Sequence, residues 1–274
     1  MFISRLLNTA LVAVILILSP SAFTQVLEEV VVTAQIREQS LQDVPISVSA
    51  ISGEDIADRS VDNLQSLSAS VPNFMVVETQ IDTSISIRGV RSGANKGFEQ
   101  SVPMNFDGVV YPRSQLARTP LVDLERVEVL RGPQPTLFGK NAIGGAVSVT
   151  SAKPTEEFEG KFSTSHESEH GEDQSLLVLS GPLSDNLLGR LTVSTREMDG
   201  WITNTKMKRL EPQRDETYIR GQLAWTSGDV DYNLKVETAD FDSLGYAMEA
   251  IAPQDGYGLV FAGPIAVETT ENWV

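Results

Sequence analysis

The chain contains no cysteine and only two histidines in 274 residues. The absence of cysteine excludes a disulfide scaffold and a thiolate metal site, so stability must come from a core, a partner or lipid. Positive charge is also scarce: 21 lysines and arginines face 37 acidic residues, a net charge of −16. No basic stripe is present to follow a phosphate backbone, which excludes nucleic acid as a partner. Long apolar runs are missing except at the N-terminus, where Leu6 to Leu18 is 13 residues interrupted by Asn8 and Thr9. A spanning helix needs about 20. With Arg5 in front and Ser19, Pro20, Ser21 and Ala22 behind, this stretch reads as a secretory signal peptide over residues 1–24, cleaved between Ser21 and Gln25. The mature chain is therefore expected in the periplasm, outside the cell or in the outer membrane.

Catalytic signatures are missing as well: there is no nucleophile elbow, phosphate-binding loop or dinucleotide fingerprint. His166-Glu167-Ser168-Glu169-His170 matches the H-E-x-x-H zinc pattern, which works only on a helix, where both imidazoles share one face. Phe162 to Ser165 alternates as a strand and Gly171 follows the motif directly. Extended, the two rings would stand about 13 Å apart. No enzyme activity, catalytic residue, metal or cofactor is expected.

What is present is a strand, a glycine-punctuated turn and a second strand between Leu124 and Pro154. Arg126 to Leu130 alternates charged and apolar residues until Arg131-Gly132-Pro133 stops the run, and Gly144-Gly145 opens another at Ala146 to Ser151. Upstream, Pro45 to Ile51 alternates as a strand. Ser52 is placed as a helix cap with Glu54 and Asp55 in the first turn. Ile56, Val61, Leu64 and Leu67 form an apolar stripe that ends before Pro72, and strands are expected at Phe74–Val77, Ser84–Gly89 and Met104–Val110, the last carrying an Asp107-Gly108 turn. Nearer the N-terminus, Glu28-Glu29-Val30-Val31-Val32-Thr33-Ala34 is a β-branched run. It fits an ordinary first strand or an unpaired segment open to strand addition by a partner.

After Pro154 the strands become two-faced. Leu187, Gly189, Leu191 and Val193 oppose Arg190, Thr192, Ser194 and Arg196; Ile219, Gly221, Leu223 and Trp225 oppose Tyr218, Arg220 and Gln222; Tyr232, Leu234 and Val236 oppose Asn233, Lys235 and Glu237. Tight turns at Pro182–Asn186 and Ser227–Asp229 alternate with a longer polar link, Gly200–Asp215. This periodicity fits a transmembrane barrel and a soluble sandwich equally.

Glu128, Arg131, Gly132 and Pro133, followed by Gly139, Gly144 and Gly145, match an E-x-x-R-G-P motif and a G-x-x-x-x-G-G turn. Arg88-Gly89 after Ile87, and Asp107-Gly108, match I-R-G and D-G motifs in the same order over about 130 residues. The chain thereby resembles the TonB-dependent outer-membrane transporters. The resemblance implies an α+β plug domain at 43–154, followed at 155–274 by the first strands of a large antiparallel transmembrane β-barrel of about 22 strands. The 120 residues after Pro154 suffice for about five or six strands, so a fragment of a longer protein is expected.

The resemblance also implies a role for particular residues. Residues 26–42 would hold a TonB box, Glu28 to Ala34, which pairs with TonB and its inner-membrane energising complex, and a flexible segment. Arg88 and Arg131, with Glu128 beside them, would join plug to barrel, the arginines meeting acidic residues of the wall. Loops at Arg91, Asn95, Lys96 and Phe98, and at Tyr111, Arg113 and Gln115, would face a small-molecule or metal-chelate substrate, by default an iron–siderophore complex. Pro135 stands where glycine is usual and Lys140 where arginine is common, so the local turn is expected to differ. The competing expectation is a secreted or periplasmic plug-like module that binds a ligand or a partner without transporting anything.

Overall fold

A computed structural model of the chain describes residues 31–32, 39–40, 46–78, 83–92, 99–111, 117–204, 206–245 and 268–273. The signal-peptide stretch lies outside the described residues. Val31 to Val274 forms a single compact unit, and within it a mixed domain packs on one face of a six-stranded sheet. No helix among the described residues is long and apolar enough to cross a membrane.

The mixed domain follows from its capping and alternation. Strand β3 (Ser47–Ser52) runs into helix α1 (Gly53–Asp58), where the Ser52 hydroxyl accepts the Asp55 N–H at 3.0 Å. Asn63 caps α2 (Leu64–Ser68) in the same way, taking the Ser66 N–H at 2.8 Å. Each cap satisfies an N–H that the first turn leaves without a partner. The expected stripe is the buried one: Ile56, Val61, Leu64 and Leu67 enter the core.

Strands β4 (Phe74–Glu78), β5 (Thr83–Ile87) and β6 (Val90–Arg91) make a three-stranded sheet. A five-stranded sheet combines β3 with β7 (Met104–Phe106), β8 (Val109–Tyr111), β9 (Leu124–Arg131) and β10 (Gly145–Ser151), in the order β3-β9-β10-β7-β8. The β10–β7 pairing is parallel. Val127, Val129, Val147 and Val149 send four fully buried side chains from the two central strands into one core, while Leu130 and Ala146 face a smaller one with Phe138 and Ala142. Gly145 is held at φ +148, and a β-carbon there would stand 2.1 Å from the Leu130 carbonyl oxygen, so only glycine fits the start of β10. A short helix, α3 (Pro135–Phe138), occupies the stretch expected to be an altered turn; Pro135 takes its first turn, where a missing N–H costs nothing.

The second sheet is antiparallel in the order β11 (Glu159–Glu167), β12 (Glu172–Ser184), β13 (Leu187–Met198), β16 (Gln213–Ser227), β17 (Val230–Leu244) and β18 (Glu268–Trp273). Strands β12, β13, β16 and β17 are 12 to 15 residues long, more than the about 9–11 that a tilted strand needs to cross a bilayer. The first turn is tighter than expected: Asp185-Asn186 alone links β12 to β13, and Pro182 sits inside β12 at a register shift. The link between β13 and β16 holds an unforeseen hairpin, β14 (Ile202–Asn204) and β15 (Arg209–Glu211).

The outward face of this sheet is apolar and uncovered among the described residues. Leu179, Leu191, Ile219, Leu223, Leu234 and Val236 are exposed by 38% to 58%, with Leu179 opposite Leu191 and Leu223 opposite Leu234. At the short-turn end Trp225 stacks on Tyr232, ring centroids 5.1 Å apart. A soluble sandwich would bury this face under a second sheet; an apolar band edged by aromatics belongs against lipid. Further upstream, β1 (Val31–Val32) pairs antiparallel with β2 (Gln39–Ser40). The run expected to be an unpaired segment or a first strand thus has its two described residues in a ribbon with the chain just downstream, while Glu28, Glu29, Val30, Thr33 and Ala34 lie outside the described residues.

Candidate functional site

The polar side chains of the six-stranded sheet point at the mixed domain, and carboxylates of that domain meet them. Asp123 stands just before β9 with φ +53. Its carboxylate accepts Arg190 Nε at 2.9 Å and Arg220 Nη2 at 2.8 Å, together with the Thr192 hydroxyl. The three charged groups are nearly dry, with side-chain exposures of 6% for Asp123, 9% for Arg190 and 2% for Arg220. Arg190 and Thr192 are two apart on β13, and Thr192 is registered against Arg220 on β16, so strand pairing itself assembles the donors.

A second contact forms at the Asp107-Gly108 turn, where φ values of +46 and +88 give a tight hairpin between β7 and β8. The Asp107 carboxylate accepts the Ser151 N–H at 2.7 Å and its hydroxyl at 2.8 Å, and Lys235 Nζ of β17 at 2.7 Å. Asp62, between α1 and α2, provides a third: Arg196 Nη2 lies 3.1 Å from its carboxylate and 2.9 Å from Glu172, and Gln174 donates to Asp62 at 3.2 Å.

Burial alone would raise the Asp123 carboxyl. Hydrogen bonds from Arg190 and Thr192 and the charges of Arg220 and Arg190 outweigh it and hold the group below its ordinary value of 3.8. Asp107 is likewise lowered: the Lys235 hydrogen bond and charge and the Ser151 donors overcome its burial. Both carboxylates stay ionised at neutral pH. Paired and hydrogen-bonded in this way, they escape the cost that an isolated buried charge would carry.

The expected plug–barrel residues behave differently. Arg131 donates to the Ser47 hydroxyl at 3.1 Å and to that of Ser49, both on β3. Arg88 is exposed at φ +53, with Nη1 3.7 Å from where a β-carbon on Gly132 would stand. Among the described residues neither arginine meets a carboxylate of the sheet. The reason is placement: Arg131 closes β9, about 26 Å of strand beyond Asp123 at the docked end. Glu128 is fully buried and accepts Arg126 Nε at 2.8 Å, a partner on its own strand. The contact among the described residues has acids on the domain and cations on the sheet.

The glycines Gly89, Gly108, Gly132 and Gly139 occupy left-handed turn positions, and Gly144 packs tightly against Val90 and Val102 beside exposed Pro133. Arg91 is exposed at the end of β6, and Tyr111 is half-buried, edge-on to Phe106. Asn95, Lys96, Phe98, Arg113 and Gln115 lie outside the described residues. His166 is on strand β11 and His170 in the turn after it, bound to Asp173 at 2.8 Å and Glu167 at 2.7 Å.

Alternation along the chain places Arg190, Arg196, Arg220 and Lys235 on the polar face without pointing to a partner for them. The available signal was charge: guanidinium and ammonium groups on a face that must be buried by something acidic.

Residues 40–146 match the family model of the TonB-dependent receptor plug domain. The chain belongs to the TonB-dependent outer-membrane receptor family. The mixed domain is therefore the plug and the six-stranded sheet part of the barrel wall. The iron-regulated outer membrane virulence protein of Vibrio cholerae serotype O1 is 34% identical over 201 residues, covering 67% of this chain and 30% of that protein. The crystal structure of the ferric yersiniabactin uptake receptor FyuA from Yersinia pestis superposes with a TM-score of 0.65 at 25% identity, over 73% of this chain and 32% of that one. The pyoverdine outer membrane receptor FpvA from Pseudomonas aeruginosa PAO1 shares the fold, with a TM-score of 0.66 at 19% identity over 79% of this chain and 31% of its own. The chain thus spans about a third of the length of the relatives it matches.

Proposed function

We propose that the protein is a TonB-gated importer of a scarce substrate, an iron–siderophore complex, across the outer membrane. The observation that carries this reading is a plug-motif domain clamped by its carboxylates to the polar face of a sheet whose other face is an exposed apolar band. Such a plug closes a pore and must be displaced for anything to pass. Iron enters the proposal through the relatives, one iron-regulated and one a ferric yersiniabactin uptake receptor.

On this reading residues 1–24 direct export, 26–42 carry the TonB box, 43–154 form the plug and 155–274 open the barrel. Glu28 to Ala34 offers TonB an extended segment to which a strand can be added, and the self-pairing of Val31–Val32 must open, or leave its second edge free, for this to happen. Arg88 and Arg131, near each other at the end of β9 away from Asp123, await acidic groups on wall strands beyond those described. The loops carrying Arg91, Asn95, Lys96 and Phe98, and Tyr111, Arg113 and Gln115, contact the substrate.

The test is uptake of radiolabelled ferric siderophores by cells producing the protein. Import is expected to require TonB and to fall to background in Val32→Pro, which removes a strand-pairing N–H, with outer-membrane abundance unchanged. Uptake at the same rate without TonB would refute the proposal.

A further inference from the structure

Two of the plug anchors are joined by more than proximity. The Asp107 carboxylate accepts the Ser151 hydroxyl at 2.8 Å, and the same Ser151 oxygen accepts Arg220 Nη1 at 3.1 Å. Arg220 also reaches the Tyr218 hydroxyl at 3.4 Å, Tyr218 donates to Glu237 at 2.9 Å, Glu237 accepts Lys235 Nζ at 3.3 Å, and Lys235 returns to Asp107 at 2.7 Å. Six side chains close a ring. Two belong to the plug and four to the wall, and Arg220 links the ring to Asp123.

We infer that the Asp107 and Asp123 anchors form one cooperative latch, coupled through the wall residues Tyr218 and Glu237. Tyr218 is 3% exposed and its hydroxyl bonds only wall groups in this ring, so it is a positioning residue: it fixes Arg220 on one side and Glu237 on the other. Glu237 in turn holds Lys235 toward Asp107. In a dry network each bond polarises the next, and losing one member leaves its neighbours incompletely satisfied.

The ring also has a weak end. The Asp107 and Lys235 side chains are each 26% exposed, against 6% for Asp123 and 2% for Arg220. Water reaches Asp107–Lys235 first, and its opening lets Lys235 turn away from Glu237, which loosens Tyr218 and Arg220 in turn and lowers the cost of releasing Asp123. The inference concerns the docked plug and stands whatever the pore carries.

The absence of cysteine gives a clean reporter, Val147→Cys, a fully buried plug-core position. Its rate of thiol labelling in urea, in the full protein in outer-membrane vesicles, measures plug opening. Asp107→Asn and Asp123→Asn are combined in a double-mutant cycle, once with Tyr218 intact and once in a Tyr218→Phe background. With the tyrosine in place the two effects on the opening equilibrium are expected to be non-additive by about fivefold or more, and without its hydroxyl the coupling is expected to shrink to what the Ser151 limb alone carries, by about twofold or more. Additivity in both backgrounds, or equal coupling in both, would overturn the latch. If Asp123→Asn does not assemble, Thr192→Val replaces it, removing one donor to Asp123 while leaving both ion pairs, and the same comparison applies.

Discussion

Asp123 gathers donors from two wall strands into a space with almost no water, and its ionisation is tied to docking. Asp107 and Asp123 are both held below 3.8 in the docked plug. A carboxylate whose folded value is depressed contributes stability above its unfolded value, and loses it as pH falls through the folded one. The urea midpoint for plug opening is therefore expected to be flat from neutral pH down to about 5 and to fall progressively below it, with a shallower acid limb in Asp123→Asn, as measured by thiol labelling of Val147→Cys. At this scale the wall was half legible. Alternation put Arg190, Thr192 and Arg196 on one face, but a partner 67 or 97 residues distant in sequence leaves no local pattern. The plug motifs instead drew attention to Arg88 and Arg131, which lie away from the docked end.

Strands β9 and β10 were legible because valines alternate along both and glycines bound the turn between them. Gly145 shows how closely that turn is drawn: Gly145→Val is expected to cost at least about 1–3 kcal/mol from backbone strain alone, before the clash with the Leu130 carbonyl is counted. A drop in the plug's urea midpoint at unchanged barrel heat-modifiability would register it. Ser52 was legible through its position before two acidic residues, and Ser52→Ala is expected to cost about 1 kcal/mol in the same assay. The β14–β15 hairpin was not legible, because between Ile202 and Glu211 only Ile202, Met207 and Leu210 are apolar and their spacing fits no two-residue period. Nor was α3, whose four residues are too few to show a helical one. The D-G dipeptide, common in any turn, shows its purpose only in three dimensions, where it aims Asp107 at Lys235.

Over the whole molecule the two faces of the wall demand opposite solvents, lipid outside and a polar plug inside. Val236→Arg, further from the aromatic edge on the same exposed face, is expected to destabilise the protein by about 2–4 kcal/mol, read as a lower barrel-unfolding midpoint in lipid vesicles. In a soluble protein the same exposed substitution would stay within about 0.5 kcal/mol. The fold class could be read from motif order and strand alternation together. Neither alone was enough, since alternation suits a sandwich as well. The docking polarity, acids on the plug and cations on the wall, emerged only from the packed structure. Urea-dependent labelling of Val147→Cys, comparing Asp123→Asn with the parent at neutral pH, reads that polarity out. Leaving Arg220 without its carboxylate, and Arg190 with Glu159 alone at 3.7 Å, is expected to lower the stability of the docked plug by about 3–5 kcal/mol, whereas an unchanged midpoint would contradict a plug held by its acids.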